Sequence, residues 1–172
     1  MESNIAVLLS AILGALAGGV ANMWLEARRR NNEMMGLANA FYGEVVALLT
    51  KVEQRKYVQE LRDAAKKGRR VLLDAKQNYF AVYERNCEKL GLLPPDLTVE
   101  IAKFYIYAKA FIDDTDTYCS LEKHEFLNPK KQYNDMADLL EEIGRIGMRI
   151  IGQVGQMNKR YGIVLQNQDS KL

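Results

Sequence analysis

Residues 5–25 read IAVLLSAILGALAGGVANMWL and carry no charged side chain. As an α-helix rising ~1.5 Å per residue, this stretch would reach ~31 Å, about the thickness of a bilayer hydrocarbon core. Trp24 stands at its end, and Arg28, Arg29 and Arg30 follow. An apolar span, an interfacial aromatic and a basic stop, in that order, predict an N-terminal transmembrane helix. Before the span, Met1-Glu2-Ser3-Asn4 brings one acid and no base, whereas three arginines follow it. The positive-inside rule therefore predicts a single-pass membrane protein with its N-terminus outside and the remainder in the cytoplasm. A cleaved signal peptide is the competing reading, since Ala15-Leu16-Ala17 resembles a small-residue cleavage site. Against it, the n-region has no positive charge and the apolar run continues to Leu25.

The domains expected are the anchor at 1–27, a cytoplasmic helical bundle at 28–165 and a polar tail at 166–172. The chain has 172 residues, so the part beyond the anchor is long enough for one domain with its own core. No stretch alternates apolar and polar residues between turn signals, so the fold class is all-α: the transmembrane helix followed by a four-helix bundle. The first bundle helix is expected from about Glu26 to Lys66, with Leu37, Phe41, Val45, Leu48 and Val52 as its apolar stripe. Asn31, Asn32 and Gly36 are candidate hinge positions, and Gly68 is the expected C-terminal cap.

A second helix is expected from about Leu73 to Leu90, with Phe80, Tyr83, Cys87 and Leu90 on one face and Gly91 as its stop. Pro94 and Pro95 break the chain. A third helix would bury Leu97, Ile101, Phe104, Ala108, Phe111, Thr115 and Tyr118, leaving Glu100, Lys103 and Asp114 on the far side. Asn128-Pro129 signals the start of the last helix. Its apolar positions, Tyr133, Met136, Leu140, Ile143, Gly147, Ile150, Val154, Met157 and Tyr161, recur at alternating steps of three and four. That is the seam of a bundle or coiled coil. Gly162 is its expected end.

Composition excludes little by itself. The net charge of +2 does not call for nucleic acid, and two cysteines, Cys87 and Cys119, make neither a disulfide framework nor a metal motif. Both fall in apolar-patterned stretches and read as small buried hydrophobes. No nucleophile–base pair, nucleotide-binding glycine loop or metal-ligand set is present, so no catalytic, cofactor or metal residues are expected. His124 reads as a surface residue. Asp113, Asp114 and Asp116 read as a solvated end of a helix, where their charge opposes the helix dipole.

Four groups remain as candidates. In the anchor, Ser10, Gly14 and Gly18 form one row of small residues, and Ala11, Ala15 and Gly19 form another. Helices in lipid associate through such close packing, which predicts a homo-oligomer; the plain alternative is that glycine and alanine are common in membrane helices. Trp24, Arg28, Arg29 and Arg30 would meet the membrane interface and its lipid. Lys66, Lys67, Arg69 and Arg70 would contact an anionic partner or stand as a solvated loop. Gly144, Gly147, Gly152 and Gly155 interrupt a strong helix; close helix packing is the expected reason, with a movable joint as the alternative.

Residues 42–62, YGEVVALLTKVEQRKYVQELR, and 78–114, NYFAVYERNCEKLGLLPPDLTVEIAKFYIYAKAFIDD, resemble segments of uncharacterised bacterial membrane-anchored helical proteins. The matching positions include Tyr42, Gly43, Glu44, Tyr79, Phe80, Tyr83, Glu84, Asn86, Lys89, Gly91, Phe104, Tyr105, Ala108 and Lys109. The resemblance implies the architecture and lends no activity. In layout and length the chain also resembles the membrane-pore accessory proteins of RNA-targeting CRISPR systems. The helical bundle of RNA-cleaving antiviral toxins needs an arginine shortly before a histidine, and Thr117 to Cys119, which would hold it, contain none. Tyr42, Glu44, Glu84, Asn86 and Lys109 are the polar residues singled out either as partner contacts or as hydrogen-bonded links between helices. The functional expectation is a non-enzymatic, self-associating membrane protein with a helical domain for an unidentified protein partner. The alternative is an oligomeric membrane-disrupting or pore-forming effector, of the kind used in antiviral defence.

Overall fold

A computed structural model describes residues 2–69, 73, 79–120 and 129–161, with side chains described at 14–69, 73, 79–115 and 130–161. Every regular element among the described residues is helical, so the chain is all-α. It divides into two compact units, Met1–Gly36 and Leu37–Leu172.

The first helix, α1 (Glu2–Gln54), belongs to both units. Asn31, Asn32 and Gly36, the candidate hinge positions, are all helical. In the second unit Leu37, Phe41 and Val45 are buried and Leu48 and Val52 half-buried, as their three- and four-residue spacing requires. The helix does not continue to Lys66. It ends at Gln54, and Lys56 takes a left-handed conformation with φ 50°. A lysine there costs roughly 1 kcal/mol, and neither glycine nor proline marks the spot. The new direction lets α2 (Tyr57–Lys67) bury Leu61, Ala64 and Ala65, so packing overrides local preference. Gly68 ends α2 as expected, with φ 60° and the backbone N–H of Arg69 donating to the Ala64 carbonyl at 3.3 Å.

The expected helix from Leu73 to Leu90 is much shorter. Residues 74–78 lie outside the described chain; α3 covers only Ala81–Asn86, and a 3-10 turn follows over Cys87–Leu92. A 3-10 turn advances ~120° per residue instead of ~100°, so the face projected for an α-helix falls out of register. Cys87, the first residue of the turn, is exposed, not buried, where the backbone leaves helical φ at Asn86 (φ −128°). Gly91 lies inside the turn. The Thr98 hydroxyl closes this corner by donating to the Leu90 carbonyl at 2.9 Å.

Pro95 opens α4 (Pro95–Ser120), where its missing N–H costs no hydrogen bond. Leu97, Ile101, Phe104, Phe111 and Thr115 are buried and Ala108 is half-buried. The buried Thr115 hydroxyl donates to the Phe111 carbonyl at 2.7 Å. The Tyr118 and Cys119 side chains lie outside the described residues, as does Asn128. The last helix, α5 (Pro129–Arg160), buries Tyr133, Met136, Leu140, Ile143, Gly147, Ile150 and Val154. Its seam loosens at the end, where Met157 is half-buried and Tyr161 exposed.

α5 is the central helix of the second unit. It packs against α2 and α4 and runs antiparallel to α1: Asn39 bonds Asn158 near one end, while Val45 and Leu49 flank Gly147 further along. Gly147 is where three helices meet. A Cβ there would lie 2.8 Å from Leu49 Cδ1, 3.1 Å from Phe104 Cε2 and 3.2 Å from Val45 Cγ1. Gly144, Gly152 and Gly155 do not share this role, because a Cβ at any of them meets nothing within 4 Å.

Candidate functional site

In the first unit, the described part of the small-residue rows is open. A Cβ at Gly14, Gly18 or Gly19 would meet nothing within 4 Å, and Ala15 is exposed. The Ser10 and Ala11 side chains lie outside the described residues. Leu16, Val20, Met23, Trp24 and Leu25 are between 56 % and 76 % exposed. Among the described residues no helix is long and apolar enough to cross a membrane; side chains are described only from Gly14, so much of the 5–25 stretch lies outside them. Below the apolar segment, the Arg28 guanidinium sits 5.3 Å from the Trp24 ring centroid. Arg29 pairs with Glu33 at 3.0 Å, one helical turn on, and Arg30 is exposed.

In the second unit, four of the five singled-out polar residues come together where α1, α3 and α4 meet. Glu44 is the centre. Its Oε1 accepts the Val82 N–H at 2.7 Å, and its Oε2 accepts the Tyr83 N–H at 3.2 Å and the Tyr105 hydroxyl. One carboxylate thus satisfies two backbone donors in the first turn of α3 and a fully buried phenol on α4. Burial pushes the Tyr105 hydroxyl far above the usual phenol range, reinforced by its hydrogen bond to Glu44 and by the Glu44 charge.

Rings pack around this link. Tyr83 stacks on Tyr105 with centroids 4.2 Å apart, and Phe80, Phe104 and Phe41 approach Tyr105 edge-on at 5.6, 5.2 and 6.1 Å. Lys109 pairs with Glu84 at 3.2 Å and lies 5.7 Å from the Tyr83 centroid. Asn86 donates to the Val82 carbonyl at 2.9 Å. Tyr42 is half-buried on α1 and takes no part in the cluster among the described residues. With both Glu44 oxygens engaged, the arrangement is an internal clasp holding α3 to α1 and α4.

Of the basic cluster, Lys66 and Lys67 stand exposed in the last turn of α2 and Arg69 is exposed just beyond it; Arg69 bonds Glu60 at 2.7 Å, and Arg70 lies outside the described residues. Asp113 and Asp114 are exposed, with the Asp114 carboxyl raised first by partial burial and then by the Asp113 charge. Asp116 and His124 fall outside the described side chains. Among the described residues no group of histidine, cysteine and acidic side chains could hold a metal ion.

Three features went unread in the sequence. Asn39 and Asn158 exchange two amide hydrogen bonds, at 3.2 and 2.8 Å, with Asn158 buried. Arg62 of α2 reaches Asn134, Asp138 and Glu141 of α5, whose carboxylates raise its pKa. The polar positions 134, 138 and 141 share one helical face, a readable signal that names no partner. Lys51 donates to the Tyr79 hydroxyl at 2.6 Å beside an apolar cavity whose residues come from several elements. Compared with known protein families, with curated proteins and with solved structures, the chain matches none.

Proposed function

We propose that this chain is a self-associating, single-pass protein of the bacterial inner membrane whose helical second unit is a cytoplasmic, non-enzymatic binding module. The observation that carries the reading is the exposure of five large apolar side chains between Leu16 and Leu25 on a helix. Water is a poor solvent for such a surface, and lipid or a neighbouring helix is a good one. The uncharged run from Ile5, the Trp24–Arg28 contact and the exposed Arg30 support the same reading, with the arginines on the cytoplasmic side. Self-association is supported by the open small-residue surface at Gly14, Ala15, Gly18 and Gly19. In the second unit, the inward engagement of Glu44 and Tyr105 fits a scaffold more than a reaction centre.

Carbonate extraction of membranes tests the anchor: the protein is expected in the pellet, and release to the supernatant refutes the reading. Exposed Cys87 reports sidedness. With Cys119→Ser in place, a membrane-impermeant maleimide should leave Cys87 unlabelled in intact spheroplasts and label it after permeabilisation. Light scattering of the full-length protein in detergent should give a defined oligomer that Gly14→Leu/Gly18→Leu dissociates; a wild-type monomer sinks self-association. The same small-residue surface would serve an oligomeric membrane-disrupting effector. Dye leakage from vesicles, lost in the glycine variant, would select that alternative.

A further inference from the structure

The second unit contains a cavity of about 70 Å³ between α1, α4 and α5. Its inner wall is Phe104, Phe111, Leu140 and Ile143, all buried. Lys51 and Tyr79, both half-buried, also line it and present only apolar surface to it: the lysine its methylene stem, the tyrosine its ring. A void lined in this way offers water no hydrogen bonds and suits a hydrocarbon group.

The polar ends of these two side chains lie outside that apolar lining. The Lys51 ammonium lies 3.9 Å from the Tyr79 ring centroid and donates to its hydroxyl at 2.6 Å. Among the described residues no carboxylate pairs with Lys51. An ammonium has three donors, so two remain, and the tyrosine hydroxyl that accepts from Lys51 keeps its own proton to donate. A cation and a hydroxyl side by side are matched by the two oxygens of one carboxylate.

We propose that this cavity is the binding site of a short-chain carboxylate. The hydrocarbon tail fills the space between Phe104, Phe111, Leu140 and Ile143, and the carboxylate bonds Lys51 and Tyr79. A cavity of ~150 Å³ accommodates benzene, so 70 Å³ takes a tail of about three carbons. The single ammonium, with no carboxylate partner among the described residues, neutralises a monoanion and would leave half of a phosphate dianion uncompensated. The site owes nothing to the membrane anchor, so a ligand bound here acts directly on the α1–α4–α5 packing.

Isothermal titration of the full-length protein with straight-chain carboxylates from acetate to octanoate tests this. Lipid nanodiscs hold the protein in place of detergent; if carbonate extraction shows the protein to be soluble, the titration is done in buffer, so the two proposals fail separately. Affinity should rise from acetate to butyrate or valerate and then stop rising. Lys51→Met should weaken butyrate by about tenfold or more, a charge-assisted hydrogen bond's worth, while leaving butan-1-ol unchanged. Ala108→Leu, which places bulk in the cavity wall, should remove the advantage of butyrate over acetate. Leu140→Phe is the second filling variant should Ala108→Leu fail to fold. Absence of saturable butyrate binding overturns the proposal, as does equal binding by wild type and Lys51→Met. Affinity still climbing at octanoate overturns it in favour of a lipid acyl chain.

Discussion

Four glycines on α5 provide the sharpest test of how α1, α4 and α5 pack, because the structure assigns them opposite outcomes. Replacing a helical glycine by alanine removes backbone freedom from the unfolded chain and stabilises a helix by about 1 kcal/mol where the methyl group has room. At Gly144, Gly152 and Gly155 a Cβ meets nothing within 4 Å, so each alanine should stabilise by up to that amount. At Gly147 the methyl group would press on three side chains from two helices, at 2.8, 3.1 and 3.2 Å. Leu49 Cδ1 is the end of a flexible chain and can turn aside; Phe104 and the β-branched Val45 are held in the buried core. Overpacking of this kind costs roughly 1–3 kcal/mol, which cancels or exceeds the helix gain. The expected net effect at Gly147 is therefore a loss of up to about 2 kcal/mol, against a gain of up to about 1 kcal/mol at the other three. Urea unfolding followed by far-UV circular dichroism measures the difference, with the m-value checked for constancy. A Gly147→Ala protein as stable as the Gly152→Ala protein would refute the three-helix contact.

Further outcomes follow from the polar links. Tyr105 keeps its proton far above the usual range in the folded state, and an unfolded tyrosine ionises near pH ~10. Its contribution is therefore fully present below pH ~10 and lost as pH rises above it, by about 1.4 kcal/mol per pH unit; Tyr105→Phe should flatten that part of a stability–pH profile. Glu44→Ala leaves the Tyr105 hydroxyl and two α3 N–H groups without their acceptor and should cost about 3 kcal/mol or more, whereas in the Tyr105→Phe background the penalty should shrink; additive losses in a double-mutant cycle would break the clasp model. Asn158→Leu strands the Asn39 amide and should destabilise by about 1–3 kcal/mol, with Asn39→Leu/Asn158→Leu recovering much of the loss; a double variant worse than the sum would contradict the reciprocal pair. Arg62→Met should cost only about 1 kcal/mol, because the ion pairs to Asp138 and Glu141 are partly solvated, and salt should reduce the difference from wild type.

Much of the fold was legible because helical periodicity is a local property. The α5 seam from Tyr133 to Val154 and the α4 stripe from Leu97 to Thr115 are buried where their spacing places them. Gly68 and Pro95 act at the helix ends their backbone chemistry suits. The all-α class follows from the same periodicity, and the apolar run 5–25 is plain to read whichever surface finally covers it.

Other features depend on partners distant in the chain. The break at Lys56 has no local signal; it exists because α2 gains a buried face against α5 by turning there. Cys87 is exposed at the point where the expected α-helix gives way to a 3-10 turn before Pro95. The four glycines look alike in sequence, and the contacts of α1 and α4 with α5 single out Gly147. Glu44 was recognisable as a polar residue of note, but its role as the acceptor for Tyr105, 61 positions away, was not. Periodicity states which side of a helix turns inward, and the identity of what it meets there is a property of the assembled core.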